Sequence, residues 1–202
     1  MAPPAGAAPL RHLLYLHGFR SSPSSAKARG MSAWMAEHRP DIDWACPQLP
    51  PSPDESMALV ERLTAHWPAD EMAVIGSSLG GFYASVLAHR RGCRAVLLNP
   101  AVHPDRDLAH QIGELTAWHD PQLRFRFGPE HVDQLRAMTP PADLDTSRWL
   151  AIVAKGDEVL DWREMLARCQ GGQVVLLDGG DHALSDFETA HRPTVLRFLG
   201  LA

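Results

Sequence analysis

The sequence has few cysteines, no basic cluster and no long apolar run. Cys46, Cys93 and Cys169 stand far apart with no Cys-x-x-Cys among them. That excludes a disulfide framework and fits reduced, buried thiols in a cytoplasmic protein. Lys and Arg total 19 against 24 Asp and Glu, a formal net charge of −5, and the cations are scattered. There is thus no basic track for nucleic acid, and the acidic balance disfavours docking to anionic membranes. No apolar stretch approaches the length of a membrane span, so a soluble protein is expected. Met1 to Pro9 is rich in proline and alanine but has neither a positive residue nor an apolar core. It fails as a signal peptide and is expected to be a loose tail. Internal repeats and low-complexity blocks are lacking too.

What is present suffices for a full core: 202 residues, 45% of them hydrophobic, the size of one domain with an insertion. Short continuous apolar runs, the mark of parallel strands covered on both faces, occur at Leu13–Leu16, Met72–Ile75, Ala95–Leu98, Leu150–Ala154 and Val174–Leu177. Ile42–Cys46 is a weaker strand candidate. Helical patterns separate these runs: Ser24 or Ser25 to His38, Asp54 to about His66, Leu79 to Arg91, Trp162 to Cys169, and Phe187 to Leu199. Strand and helix in alternation predict an open α/β sheet. From Asn99 to about Arg148 the alternation fails. That segment, with a helix expected over Pro129–Met138, reads as a cap over the carboxyl edge of the sheet, so the domain is 10–202 with a cap at about 101–147.

The centre of the chain is Gly76-Ser77-Ser78-Leu79-Gly80. Alone, a Gly-x-Ser-x-Gly arises by chance. Here it sits between an apolar strand and a helix, the context of a nucleophile elbow. A serine on so sharp a turn needs neighbours without bulk, hence Gly76 and Gly80. The helix N-terminus beside it supplies free N–H groups for an oxyanion, the amide of Leu79 first. His17-Gly18-Phe19 follows the first strand, and a glycine there lets the Phe19 amide turn inward as the second donor. His17 itself reads as a strand-end histidine tied to the backbone.

A serine hydroxyl needs a base, and the base needs a carboxylate to hold its tautomer. Asp157 and His182 lie just past two strand ends, where open sheets gather their catalytic groups. Ser78, Asp157 and His182 therefore come in the chain order of the α/β-hydrolase arrangement. Glu158 and Asp161 are alternative acids, and His191 is an alternative base. Asp181, adjacent to His182, reads as a turn residue. Trp118, Phe125 and Phe127 would either line an acyl pocket or form the cap's own core. Arg124 and Arg126 would meet either an anionic group, such as a coenzyme A phosphate, or solvent. A serine in place of an acidic nucleophile excludes dehalogenase and epoxide hydrolase chemistry. His103, His110, His119 and His131 in the cap have no metal-ligand spacing.

Leu14-Tyr15-Leu16-His17-Gly18-Phe19-Arg20-Ser21-Ser22-Pro23, Gly76-Ser77-Ser78-Leu79-Gly80-Gly81-Phe82-Tyr83-Ala84, Asn99-Pro100-Ala101, Gly156-Asp157-Glu158-Val159-Leu160-Asp161 and Gly179-Gly180-Asp181-His182 together resemble the small bacterial YqiA/YcfP-type esterases of the α/β-hydrolase superfamily. The resemblance spans nearly the whole chain after Pro9. It implies a three-layer sandwich, a mostly or wholly parallel sheet of about six strands with a small helical cap, and a cytoplasmic hydrolase of short acyl esters or thioesters. The expected partner is that small substrate, with no cofactor or metal, since serine acyl transfer needs neither. The alternatives are an acyl-CoA thioesterase and a non-catalytic binding protein on a hydrolase scaffold.

Overall fold

The computed structural model describes residues 2–4 and 6–202. In chain order these form β1 (His12–Leu16), α1 (Ala26–His38), β2 (Asp43–Ala45), α2 (Pro53–Thr64), β3 (Met72–Ser77), α3 (Leu79–Arg91), β4 (Arg94–Leu98), α4 (Pro104–Asp107), β5 (Gly113–Thr116), β6 (Arg124–Phe127), α5 (Pro129–Met138), β7 (Trp149–Ala154), α6 (Trp162–Arg168), β8 (Gln173–Leu177) and α7 (Arg192–Leu199). Among the described residues, six strands make a wholly parallel sheet in the order β2-β1-β3-β4-β7-β8. After β2 the chain returns to the far side of β1, so the winding direction switches at β1. In such sheets the ligand crevice lies outside the carboxyl ends of the strands at that switch.

The period of two along each strand divides the core into two layers. Leu14, Leu16, Val74, Leu97, Ala151 and Val153 pack with α2, α3 and α5, and with Met165 of α6. Leu13, Tyr15, Ala73, Ile75, Val96 and Ile152 pack on the opposite face with α1 and α7. The result is the expected three-layer α/β-hydrolase sandwich. α3 is buried from Leu79 through Ala88, because α2 and the insertion cover the side that the sheet does not. No helix among the described residues is long and apolar enough to cross a membrane.

Local detail departs from sequence expectation in three places. α2 begins at Pro53 and is capped by Ser52, whose hydroxyl accepts the Glu55 amide, rather than by Asp54. Proline at the first helical position needs no donor, and Ser-x-x-Glu is a capping-box spacing. The last helix is divided: Phe187–His191 is a π-turn, closed by the Arg192 amide donating to the Phe187 carbonyl, before α7 starts. Pro193 has no amide to continue the ladder, which gives the wider turn its cause. The insertion holds the expected helix α5 and, in addition, an antiparallel hairpin of β5 and β6 with Thr116 opposite Arg124 and Gly113 opposite Phe127.

Of the N-terminal stretch, Met1 and Ala5 lie outside the described residues. The Ala2 carbonyl accepts from Gln173, the Ala8 carbonyl accepts from Arg94 at 3.0 Å, and Leu10 is buried.

Candidate active site

Ser78 is the single residue between β3 and α3, at φ 56° and ψ −122°. That conformation is strained for an L-residue and persists only where the surroundings hold it. Here the Ser78 amide donates to the Leu98 carbonyl at 3.0 Å, and its carbonyl accepts from the amides of Gly81, Phe82 and Ala101. The flanking glycines allow the turn. A Cβ on Gly76 would stand 2.2 Å from the Gly80 carbonyl oxygen, and one on Gly80 would stand 2.1 Å from that of Leu16. Backbone cannot yield to such overlap, so β1, β3 and α3 meet only because both positions lack a side chain.

The loops after β7 and β8 bring two further side chains to this turn. His182 Nε2 lies 2.9 Å from Ser78 Oγ, and His182 Nδ1 lies 2.7 Å from Asp157 Oδ2. Asp157 Oδ1 accepts the amides of Val159 and Leu160, both at 2.8 Å, which leaves Oδ2 for the imidazole. The carboxylate is fully covered, while the histidine side chain keeps 19% of its exposure on the side of the cleft. With Nδ1–H donated to Asp157, the tautomer presents a bare Nε2 to the Ser78 hydroxyl.

The competing residues have other partners. Asp161 caps α6 by accepting the Arg163 amide, Asp181 accepts the amide and hydroxyl of Ser185, and His191 Nε2 lies 3.0 Å from Asp186 Oδ1. Glu158 does take part, but through the backbone: its carboxylate accepts the His182 amide at 3.0 Å. Asn99 is the residue that spacing and composition miss. Fully buried at φ 41°, it accepts the Ala154 amide with Oδ1 and donates Nδ2 to the carbonyls of Asp181 and His182. The Asn99-Pro100-Ala101 segment of the resemblance includes it without a role, and a polar residue ending an apolar strand at the carboxyl edge of the sheet is the signal in the residues themselves.

Gly18 packs against the elbow, with a notional Cβ 3.2 Å from Ser78 Cβ. This brings the Gly18–Phe19 turn beside Ser78. Leu79 is the first residue of α3, where an amide has no intrahelical acceptor. Among the described residues, neither the Phe19 nor the Leu79 amide donates to a protein acceptor. His17 is tied to the backbone at both nitrogens: Nδ1–H donates to the Gly18 carbonyl, and Nε2 accepts the Leu49 amide. Burial lowers its pKa from 6.5. The bond to Gly18 opposes that shift, and the charge of His119 adds to it.

Two cavities adjoin the turn. One, of about 290 Å³, is lined mainly by apolar groups including Leu49, Pro50, Leu79, Tyr83, Ala117 and Phe125. The other, about 410 Å³, contains Ser78 and His182. The insertion's aromatics thus divide. Phe127 is core, Phe125 lines the apolar cavity, both meet Phe19 edge-on, and Trp118 is 69% exposed beneath the Arg20 guanidinium. Arg126 pairs with Glu130, and Arg124 is exposed. The cysteine thiols are unpaired, and burial pushes those of Cys46 and Cys93 up to about 11 and that of Cys169 to about 12. Such thiols are poor nucleophiles.

Solved structures share this architecture. A structure from the description of LipS and LipT, two metagenome-derived lipolytic enzymes, is 18% identical at a TM-score of 0.69, with full coverage of both chains. Est1E from Butyrivibrio proteoclasticus, solved with ferulic acid, is 14% identical at 0.67, over 98% of this chain and 93% of its own. The monoacylglycerol lipase of Paleococcus ferrophilus is 14% identical at 0.67, over 100% and 96%. At these identities the likeness concerns the fold. A family model matches residues 12–200. The chain therefore belongs to uncharacterised protein family UPF0227, the family of the YqiA/YcfP-type proteins that its motifs resemble.

Proposed function

We propose that the protein is a cytoplasmic serine carboxylic-ester hydrolase that acts on short-chain acyl esters through an acyl-enzyme. The observation that carries this reading is the continuous relay from Ser78 Oγ through His182 to Asp157, at 2.9 and 2.7 Å. His182 Nε2 takes the hydroxyl proton as Ser78 Oγ bonds to the ester carbonyl carbon, and Asp157 stabilises the imidazolium. The Phe19 and Leu79 amides hold the charge on the tetrahedral oxygen. Collapse expels the alcohol, which receives the proton from His182. Water then repeats the sequence on the acyl-enzyme and releases the acid. The apolar cavity supports an acyl chain as the uncharged half of the substrate. Fold relatives named as a lipolytic enzyme and a monoacylglycerol lipase support the same class.

A fluorophosphonate probe and p-nitrophenyl butyrate test this reading together. Labelling at Ser78 with butyrate release that vanishes in Ser78→Ala is the expected result. A folded protein that stays unlabelled favours the binding-scaffold alternative, and butyryl thioesters cut faster than oxygen esters favour the thioesterase.

A further inference from the structure

Both cavities border the Gly18–Phe19 turn and both are lined mostly by apolar atoms, but they differ in the polar groups they hold. The one of about 290 Å³ suits a hydrocarbon chain, whereas the cleft that contains Ser78 and His182 is also lined by Tyr15, Ser25 and Lys27. Lys27, in the first turn of α1, is one of only two lysines in the chain. Its half-buried ammonium donates to the Ala183 carbonyl, next to His182. Among the described residues it makes no ion pair. Asp181 acts on it from beyond ion-pair distance, and that carboxylate is already engaged by Ser185. Burial lowers the Lys27 pKa, so the cleft partly desolvates this cation. An ammonium has three donors, of which the Ala183 carbonyl takes one, so a partly desolvated ammonium whose opposite charge lies beyond ion-pair distance gains from an anion that a ligand provides.

We infer that Lys27 is a specificity-determining residue that pairs with an anionic group on the alcohol part of the ester. The inference rests on the hydrolase reading above. The apolar cavity takes the acyl chain, which leaves the Lys27 side of Ser78 for the leaving group. The preferred substrates are then acyl esters of alcohols or phenols that carry a carboxylate or phosphate. A cation next to the leaving group also raises the local concentration of such esters in a protein whose net charge of −5 repels them elsewhere.

The probes are 3- and 4-(butyryloxy)benzoate, each compared with its neutral carboxamide isostere. In the unmodified protein one benzoate isomer gives the higher kcat/KM relative to its isostere, and the advantage shrinks with added salt. Lys27→Met lowers that benzoate-to-carboxamide ratio by roughly ten- to hundredfold, the worth of a charge-assisted hydrogen bond. Lys27→Arg restores most of it. If Lys27→Met slows both esters by the same factor, Lys27 only positions the His182 loop and the inference is overturned. An unchanged ratio overturns it as well. In either case, Ser78 labelling and carboxamide-ester hydrolysis leave the hydrolase reading standing. An unmodified protein that cleaves neither ester and is not labelled removes both.

Discussion

Asn99 and His182, distant in sequence, are joined by a single hydrogen bond: Asn99 Nδ2 donates to the His182 carbonyl at 3.2 Å while Oδ1 holds the Ala154 amide at 2.8 Å. One buried amide thereby fixes the His182 loop to the end of β7, the strand that leads to Asp157. Asn99→Ala removes three hydrogen bonds and strands a buried donor, a cost of about 2–4 kcal/mol by the usual penalty for unsatisfied groups. Denaturant titration measures that loss. If Asn99 also positions the imidazole, kcat for p-nitrophenyl butyrate falls by roughly a hundredfold with KM almost unchanged, as a misplaced base predicts. A loss of kcat that disappears once the rate is divided by the folded fraction points to damaged folding instead.

The relay behaves as a unit. Ser78→Ala, His182→Ala and the double variant are expected to lose turnover by a similar factor, on the order of 10⁴ to 10⁶, because either single change already disables the pair. Asp157→Asn costs about 10⁴, since the amide can donate to Nδ1 and impose the wrong tautomer. Losses that multiply in the Ser78/His182 double variant would show the two acting separately.

Much of this arrangement is legible in the sequence, and the limits have physical causes. The inner strands are covered on both faces, so each reads as an unbroken apolar run, and the elbow announces itself through glycines that no other residue could replace. Ser78, Asp157 and His182 all fall at the carboxyl ends of strands, which is why position along the chain foretells that they lie near one another. β5 and β6 do not show. They form an isolated hairpin of four-residue strands, and Arg124-Phe125-Arg126-Phe127 alternates as any half-buried loop could. The role of Asn99 is hidden for a different reason: its partners are main-chain atoms of Ala154, Asp181 and His182, which carry no residue-type signature.

The glycines near Ser78 and those elsewhere should respond differently to a methyl group. Gly80→Ala places Cβ 2.1 Å from the Leu16 carbonyl oxygen, backbone against backbone. It should cost more than about 3 kcal/mol or prevent folding, since β1 and α3 must separate. Gly92→Ala, at φ +68° with open space around the added carbon, pays only the left-handed penalty of about 1–2 kcal/mol. Chemical denaturation of both variants measures the difference. Similar losses would show that the close approach of β1 to α3 is not constraining.

His17 links stability to pH. Folding buries the ring in a neutral form whose two nitrogens are both engaged, and burial lowers its pKa below 6.5. Above that value neither the folded nor the unfolded chain binds the proton, so His17 makes no pH-dependent contribution. Below it the unfolded chain takes up a proton that the folded one resists, and stability falls as the pH drops. His17→Gln keeps a donor and an acceptor but does not titrate. The unmodified protein should therefore lose more unfolding free energy than His17→Gln between pH 7.5 and 5.5, in matched denaturant titrations. Parallel losses would assign the dependence to other groups.

The apolar cavity should measure the acyl chain. Each methylene buried there contributes about 0.8 kcal/mol, so kcat/KM for p-nitrophenyl esters should rise roughly three- to fourfold per carbon from acetate until the cavity of about 290 Å³ is full. Ala117 offers a way to shorten it. Its side chain lines the cavity, while its amide stays bonded to the Leu123 carbonyl at 3.0 Å, so a larger residue fills space without breaking that bond. Ala117→Phe should lower the hexanoate-to-acetate ratio of kcat/KM by tenfold or more. A ratio that does not move would place the acyl chain elsewhere, and the exposed face of Trp118 beside Ser78 would be the surface to test next.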